Sequence, residues 1–328
     1  MHTIDMHKYN VTKNNTPIIY LDTNAFIEFS RYEKGRCTDA HRVLIEKLYH
    51  TLVSMKQEKR ILCALGNQLE EMGSTKGRKD ARSFLLNFTN VEFESPCQIQ
   101  ENQLKAGYQS FLKNEKTASF NVTEIIENPV YVNNTSIEVQ VVPICSEEQA
   151  TKSKQSKQQL ASVLNDKKNS GQISKNYGDQ LTLELSADYQ VFQYITEHCS
   201  DSPEDYMSMI DSLRLAYYCT GIDPASTTTD AKIAAINNYK KFLMSPQHHK
   251  LPYVWTRSVL FAHIMQRQNK IIHSDNLDIK WASAYLPFVD YVVTDSAFCN
   301  LLNQSGLAEL YGTKVYCFKT IGKLLEEF

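Results

Sequence analysis

Pro17-Ile18-Ile19-Tyr20-Leu21-Asp22-Thr23-Asn24 is the stretch that decides how the rest of the chain is read. Four consecutive apolar residues, halted by an acid and two small polar residues, describe a short buried strand with an Asp at its C-terminal tip. Strands apolar on both faces belong to parallel sheets, which need crossover helices. Helical spacing follows over 38–59, through Ala40, Val43, Leu44, Leu48, Leu52 and Met55. Ile61 to Leu65 then reads as a second strand, 66–72 and 77–88 as helices, and Val91-Glu92-Phe93 as a third strand. The alternation resumes after residue 270, with a helix over 276–286, the strand Tyr291-Val292-Val293 and a helix over 296–304. A strand from Val315 to Phe318 and a terminal helix capped by Thr320 complete it. Such a pattern implies an α/β fold whose parallel sheet carries helices on both faces.

The middle of the chain breaks this rhythm. Residues 98–116 have a helical pattern, and 130–142 read as two strands around the turn Asn133-Asn134. From 147 to 176 the chain is rich in Ser, Lys and Gln. Within 150–176, six lysines (152, 154, 157, 167, 168 and 175) against the single acid Asp166 give a local charge of +5. A solvated helix or linker is the first reading of that segment, and an arm contacting phosphates is the second. Residues 180–268 read as mostly helical; Ser202-Pro203-Glu204-Asp205 combines a cap, a first-position Pro and two first-turn acids. The economical arrangement is one discontinuous α/β core, 15–95 and 270–328, interrupted by a mainly helical insertion over 96–269. Two sequential domains are the competing arrangement.

Composition narrows the class without naming an activity. The 328 residues carry 35 Lys plus Arg against 37 Asp plus Glu, a net charge of -2, which argues against a broadly cationic nucleic-acid binder. At 42% hydrophobic residues the chain has enough apolar material for a core. Its eight cysteines form no CxxC pair, so a zinc knuckle is not expected, and buried free thiols in a reducing compartment are. The polar N-terminal stretch does not read as a secretory signal, and no apolar run reaches membrane-spanning length. The expectation is a cytoplasmic protein with no membrane partner.

Chemistry enters with the acids. Asp22 ends the first strand, Glu70 and Glu71 open the helix after the second, Asp275 and Asp278 lie at the start of the helix after Ile271-Ile272-His273-Ser274, and Asp295 follows Val292-Val293-Thr294. The C-terminal ends of parallel strands face one crevice, so acids from distant segments would converge there. Carboxylates gathered in one place repel each other unless a cation is held or some are protonated. Mg²⁺ or Mn²⁺ suits carboxylate oxygens and activates water for attack at phosphorus.

The segments IIYLDTNAFIEF (18–29), the Glu after the second strand, and SDNLDIKWASAYLPFVDYVVTDSAF (274–298) together resemble the PIN-like ribonuclease superfamily, and most of all bacterial PIN-like proteins with large insertions. The resemblance covers about 17–95 and 270–328 and leaves the middle without a counterpart. It implies a three-layer α/β/α core with a central parallel sheet, and Asp22, Glu71 (or Glu70), Asp278 (or Asp275) and Asp295 as catalytic, ion-holding acids. Leu69 and Met72 favour Glu71 over Glu70. Asp275 fits a helix N-cap and Asp290 a turn. Thr23, Asn24, Thr294 and Ser296 would orient the carboxylates, and Lys280 and Arg31 are candidate phosphate contacts. The pair His248-His249 reads as a loop without ligand partners, and Trp255 and Trp281 as core.

The expected activity is metal-dependent endonucleolytic hydrolysis of single-stranded RNA, with single-stranded DNA second. A role as a toxin or defence effector and a protein partner or homo-oligomer through the insertion are compatible with it. A non-catalytic scaffold built on the same core is the alternative.

Overall fold

The computed structural model describes residues 10–37, 39–73, 79–127, 147–170, 173–174, 176–197, 203–267 and 269–328. The chain divides into two compact units. An α/β unit comprises 11–96, 121–169 and 270–328, and a helical unit is built from 97–120 and 170–269.

In the α/β unit, strands β1 (Ile18–Leu21), β2 (Leu62–Leu65), β3 (Val91–Glu92), β4 (Tyr291–Val293) and β5 (Lys314–Tyr316) form one parallel sheet in the order β3-β2-β1-β4-β5. Helices α1 (Thr23–Glu33), α2 (Asp39–Gln57), α3 (Gln68–Gly73) and α4 (Lys79–Phe88) belong to its first half. Helix α5 (Pro96–Leu112) lies almost wholly in the helical unit, and α6 (Glu147–Asn169) in the α/β unit. The helical unit continues with α7 (Tyr177–Glu197), α8 (Pro203–Thr220), α9 (Thr229–Leu243), α10 (Pro246–His249) and α11 (Pro252–Gln266). Helices α12 (His273–Tyr285), α13 (Ser296–Gln304), α14 (Leu307–Tyr311) and α15 (Ile321–Leu325) complete the α/β unit.

All four residues of β1 are fully buried, the structural counterpart of an apolar run without alternation. Ile19 and Leu21 enter a core with Cys63, Leu65, Val293 and helices α1, α2 and α4, where Phe26, Phe29, Leu48 and Phe88 pack. Tyr20, one residue out of phase, points to the other face and stacks on Trp281 of α12 with ring centroids 4.7 Å apart. The end of β2 approaches the same helix closely: a Cβ on Gly66 would lie 2.6 Å from the Tyr285 ring, so only glycine fits. Sheet order changes direction at β1, because β2 and β3 extend one way and β4 and β5 the other. The crevice at such a switch point lies beyond the C-terminal ends of β1 and β4, where Asp22 and Thr294 stand.

Several expectations change in detail. The helix expected over 276–286 begins at His273, so Asp275 occupies the third helical position, not the cap; its Oδ2 accepts from Ile272 N at 2.7 Å. The last strand stops at Tyr316, and Phe318–Thr320 is a 3₁₀ turn. There the Thr320 hydroxyl accepts from Cys317 N at 2.9 Å and makes no capping bond to the terminal helix. Residues 96–269 are not a single unit. Helix α6 packs on α12, and the Asn165 amide binds Ile271 in both directions, donating to its O at 2.8 Å and accepting from its N at 2.9 Å. Lys167 and Lys168, from the lysine-rich segment, therefore sit in the last turn of a helix of the α/β unit. The strands expected over 130–142 lie outside the described residues.

The helical unit centres on α11, which is buried at eleven positions around its circumference, as expected of a helix surrounded by others. Pro252 starts it at the first helical position, and the Gln103 side chain caps Tyr253 N at 2.8 Å. His248 and His249 do not form a loop. They end α10, with Ser245 capping His248 N and the His248 ring fully buried. Trp255 and Trp281 are core residues. Among the described residues, no helix is long and apolar enough to cross a membrane, and Cys37, Cys63, Cys97, Cys219, Cys299 and Cys317 form no disulfide.

Candidate functional site

The parallel pairing of β1 with β4 sets Leu21 opposite Val293, and Asp22 N continues it by donating to Val293 O at 2.9 Å. The next residues along, Asp22 and Thr294, are consequently neighbours; the Thr294 hydroxyl donates to Asp22 Oδ2 at 3.2 Å. Asp22 Oδ1 accepts from Thr23 N at 2.6 Å and so also starts α1. One residue beyond Thr294, Asp295 caps α13 by accepting from Ala297 N at 2.7 Å and Phe298 N at 3.0 Å. Each of these acids thus has a structural duty at a helix N-terminus, where backbone N–H groups favour negative charge.

Glu71 arrives from α3. Buried Gln68 at the start of that helix accepts from Gly66 N at 2.6 Å and donates to Leu21 O at 2.9 Å, tying it to the tip of β1. One turn along the chain, the Glu71 carboxylate accepts from the Thr23 hydroxyl and from Asn67 Nδ2, the latter at 2.9 Å. Asn67 in turn accepts from the buried Tyr20 hydroxyl at 2.7 Å. These bonds belong to Glu71; the side chain of Glu70 lies outside what is described. Asp278 comes from α12, where Trp281 Nε1 lies 3.4 Å from its Oδ1 while the indole stacks on Tyr20. Tyr20, Asn67, Gln68 and Trp281 are positioning residues that sequence reasoning did not assign to the site. Only the i, i+4 spacing of Asn67 to Glu71 and the i, i+3 spacing of Asp278 to Trp281 hinted at such partnerships.

The electrostatics join the four acids into one group. Burial raises the Asp22 carboxyl to about 7, with Glu71 and then Asp295 adding to the rise and the bonds from Thr23 N and Thr294 opposing it. Asp278 is also pushed well above the ordinary carboxylate range, by burial first and then by Asp22, Glu71 and Asp295. Asp275 bonds the start of its own helix. Ser296 bonds toward Cys317, and Arg31 pairs with Glu28 on the surface. Asp290 accepts from Ile18 N at 2.8 Å and so anchors the start of β1.

As donors, four carboxylates with hydroxyl and amide neighbours fit a hard divalent cation. Among the described residues, no three His, Cys, Asp or Glu side chains are already gathered as the ligands of one ion. Mg²⁺ keeps several waters and commonly takes one or two carboxylates, so the donor chemistry fits it without a closed protein cage. Comparisons with protein-family models, with curated proteins and with solved structures find no match to this chain.

Proposed function

We propose that the α/β unit is a PIN-like, divalent-metal-dependent phosphodiesterase with a three-layer core, acting as an endonuclease on single-stranded RNA and less readily on single-stranded DNA. The observation that carries this reading is that acids from distant segments act on one another, Glu71 and Asp295 on Asp22, and Asp22, Glu71 and Asp295 on Asp278. Nothing in the packing of a scaffold calls for such an arrangement, because the neighbouring acids raise the cost of ionising Asp22 and Asp278.

In this reading Asp22, Glu71, Asp278 and Asp295 hold the ion, which when bound offsets phosphodiester charge and makes water more acidic. Thr23 and Asn67 fix the direction of the Glu71 carboxylate, and Thr294 fixes that of Asp22. Trp281 does the same for Asp278. The RNA preference comes from the PIN-like resemblance of 18–29 and 274–298. Lysines of α6 ride on the same unit as the acids, packed through α6 on the helix that carries Asp278, and favour a polyanion.

The test is cleavage of end-labelled single-stranded RNA and DNA in Mn²⁺ or Mg²⁺, with EDTA as control. RNA should be cut internally only with metal, and the Asp22→Asn/Asp295→Asn protein should lose at least about a hundredfold in rate. Equal cleavage by that variant would remove the acids from the mechanism. A folded wild-type protein inert toward both polymers would favour the scaffold.

A further inference from the structure

A second concave feature lies within the helical unit. Helices α5, α7, α8, α9 and α11 line a half-open cavity of about 320 Å³. That volume is at the small end of ligand pockets, which run from about 300 to 1,000 Å³. Leu104, Phe192, Leu243 and Phe261 give it apolar and aromatic walls, and Asp188 and Arg257 supply a polar corner.

That corner is not closed on itself. Arg257 Nη2 donates to Asp188 Oδ2 at 2.7 Å, and His248 Nε2 lies 3.2 Å from the same oxygen. Among the described residues, the bond joining the pair runs between Arg257 Nη2 and Asp188 Oδ2, and Asp188 Oδ1 and Arg257 Nη1 take no part in it. A guanidinium and a carboxylate that only joined two helices would gain more from the two-bond fork their shapes allow. Here the single-bonded pair leaves a carboxylate acceptor beside guanidinium donors on the wall of an apolar cavity. The two charges of the pair offset each other, and the complement of its remaining edge is a group carrying a donor and an acceptor side by side. Phe192 and Phe261 ask for a flat ring around that group.

We propose that this cavity binds a neutral heteroaromatic lactam, with a ring N–H beside a carbonyl as in uracil and hypoxanthine. The N–H donates to Asp188 Oδ1, the carbonyl accepts from Arg257, and the ring lies against Leu104, Phe192 and Phe261. The carboxylates of Asp188 and Glu184 on the wall disfavour a phosphate group, so the ligand is a base or nucleoside and not a nucleotide. The inference is independent of the nuclease reading, because it concerns binding in the other unit.

Its test titrates the full-length protein with uridine and inosine, and with N3-methyluridine and N1-methylinosine, which lack the ring N–H. Ligand-observed NMR and calorimetry provide the readout. At least one parent nucleoside should bind one-to-one, with its N-methyl counterpart at least tenfold weaker, the cost of leaving a charged acceptor unpaired. Ala187→Phe, which fills the cavity, should abolish binding at an unchanged circular dichroism spectrum. Should that variant fail to fold, intermolecular NOEs from base protons to the Phe192 and Phe261 rings of the wild type decide the matter. Absence of saturable binding at millimolar nucleoside, equal binding of the methylated pair, or NOEs to other residues would each overturn the proposal.

Discussion

Asp22 in the α/β unit and Asp188 in the helical unit are both carboxylates withdrawn from water, yet they are driven in opposite directions. Burial lifts Asp22 to about 7, and its charged neighbours, Glu71 and Asp295, push the same way. Burial also works to raise Asp188, but the Arg257 guanidinium, helped by His248, holds it well below the usual carboxylate range. The difference teaches that burial by itself decides little. What matters is whether the fold supplies the counter-charge or leaves it to be supplied from outside. A protein that completes one acid with an arginine and surrounds another with further acids has built two sites with different demands for charge.

The comparison can be broken most forcefully at Asp188. Asp188→Ala leaves the Arg257 guanidinium in low-dielectric surroundings without its partner, and should cost about 3–5 kcal/mol in urea unfolding at neutral pH. A loss under ~1 kcal/mol would show that the pair does not compensate its own burial.

Asp22→Asn should act with the opposite sign. A carboxyl raised from 3.8 to about 7 on folding holds a proton in the native state that the unfolded chain releases between those values. Metal-free wild-type protein should therefore lose stability as pH rises from about 4 to about 7, and level off above that. Removing the charge should raise stability at pH above about 7 by at most about 4 kcal/mol, with no gain below pH ~4. Unfolding curves across that range, in EDTA, measure both limbs. A gain that persists unchanged at the acid end would assign it to something other than ionisation.

A smaller effect sharpens the same contrast. At 100 times its dissociation constant Mn²⁺ should stabilise the wild type by about 2.7 kcal/mol. It should do nothing measurable for Asp22→Asn/Asp295→Asn, whereas Asp188→Ala should retain whatever response its folded fraction allows. The smallest expected change is at Thr294→Val, which removes the hydroxyl that favours ionised Asp22. Carboxyl-carbon NMR should then find the Asp22 titration raised further, by roughly one unit.

How much of this could be read beforehand differs between the two acids. The α/β sheet was legible because β1 lies in its middle and must be apolar on both faces, which leaves an unbroken run from Ile18 to Leu21. Asp22 and Asp295 were legible as candidates because each directly follows or nearly follows such a strand. Glu71 was separated from Glu70 only by flanking residues in the sequence, and in the structure by bonds from Thr23 and Asn67 that no local spacing specifies. Asp275 took the third helical position because its helix starts earlier than the polar residues Ser274 and Asp275 suggested. The bonds that steer the carboxylates, through Tyr20, Gln68 and Trp281, are tertiary and leave little trace in sequence order. The Asp188, His248 and Arg257 group was invisible altogether: its members lie on three helices, and each taken alone resembles an ordinary surface or core residue.

The pairing of Leu21 with Val293 also bears on timing. Asp22 is completed by Thr294, which a ribosome adds 272 residues later. Until β4 has emerged, the first strand has no partner on one edge and its acid no Thr294, so a nascent chain carries Asp22 and Glu71 without the site. Long-range parallel pairing of this kind is slow to form. The chemistry proposed for the α/β unit is thereby withheld until both halves of its sheet have been made, by topology and not by any inhibitor.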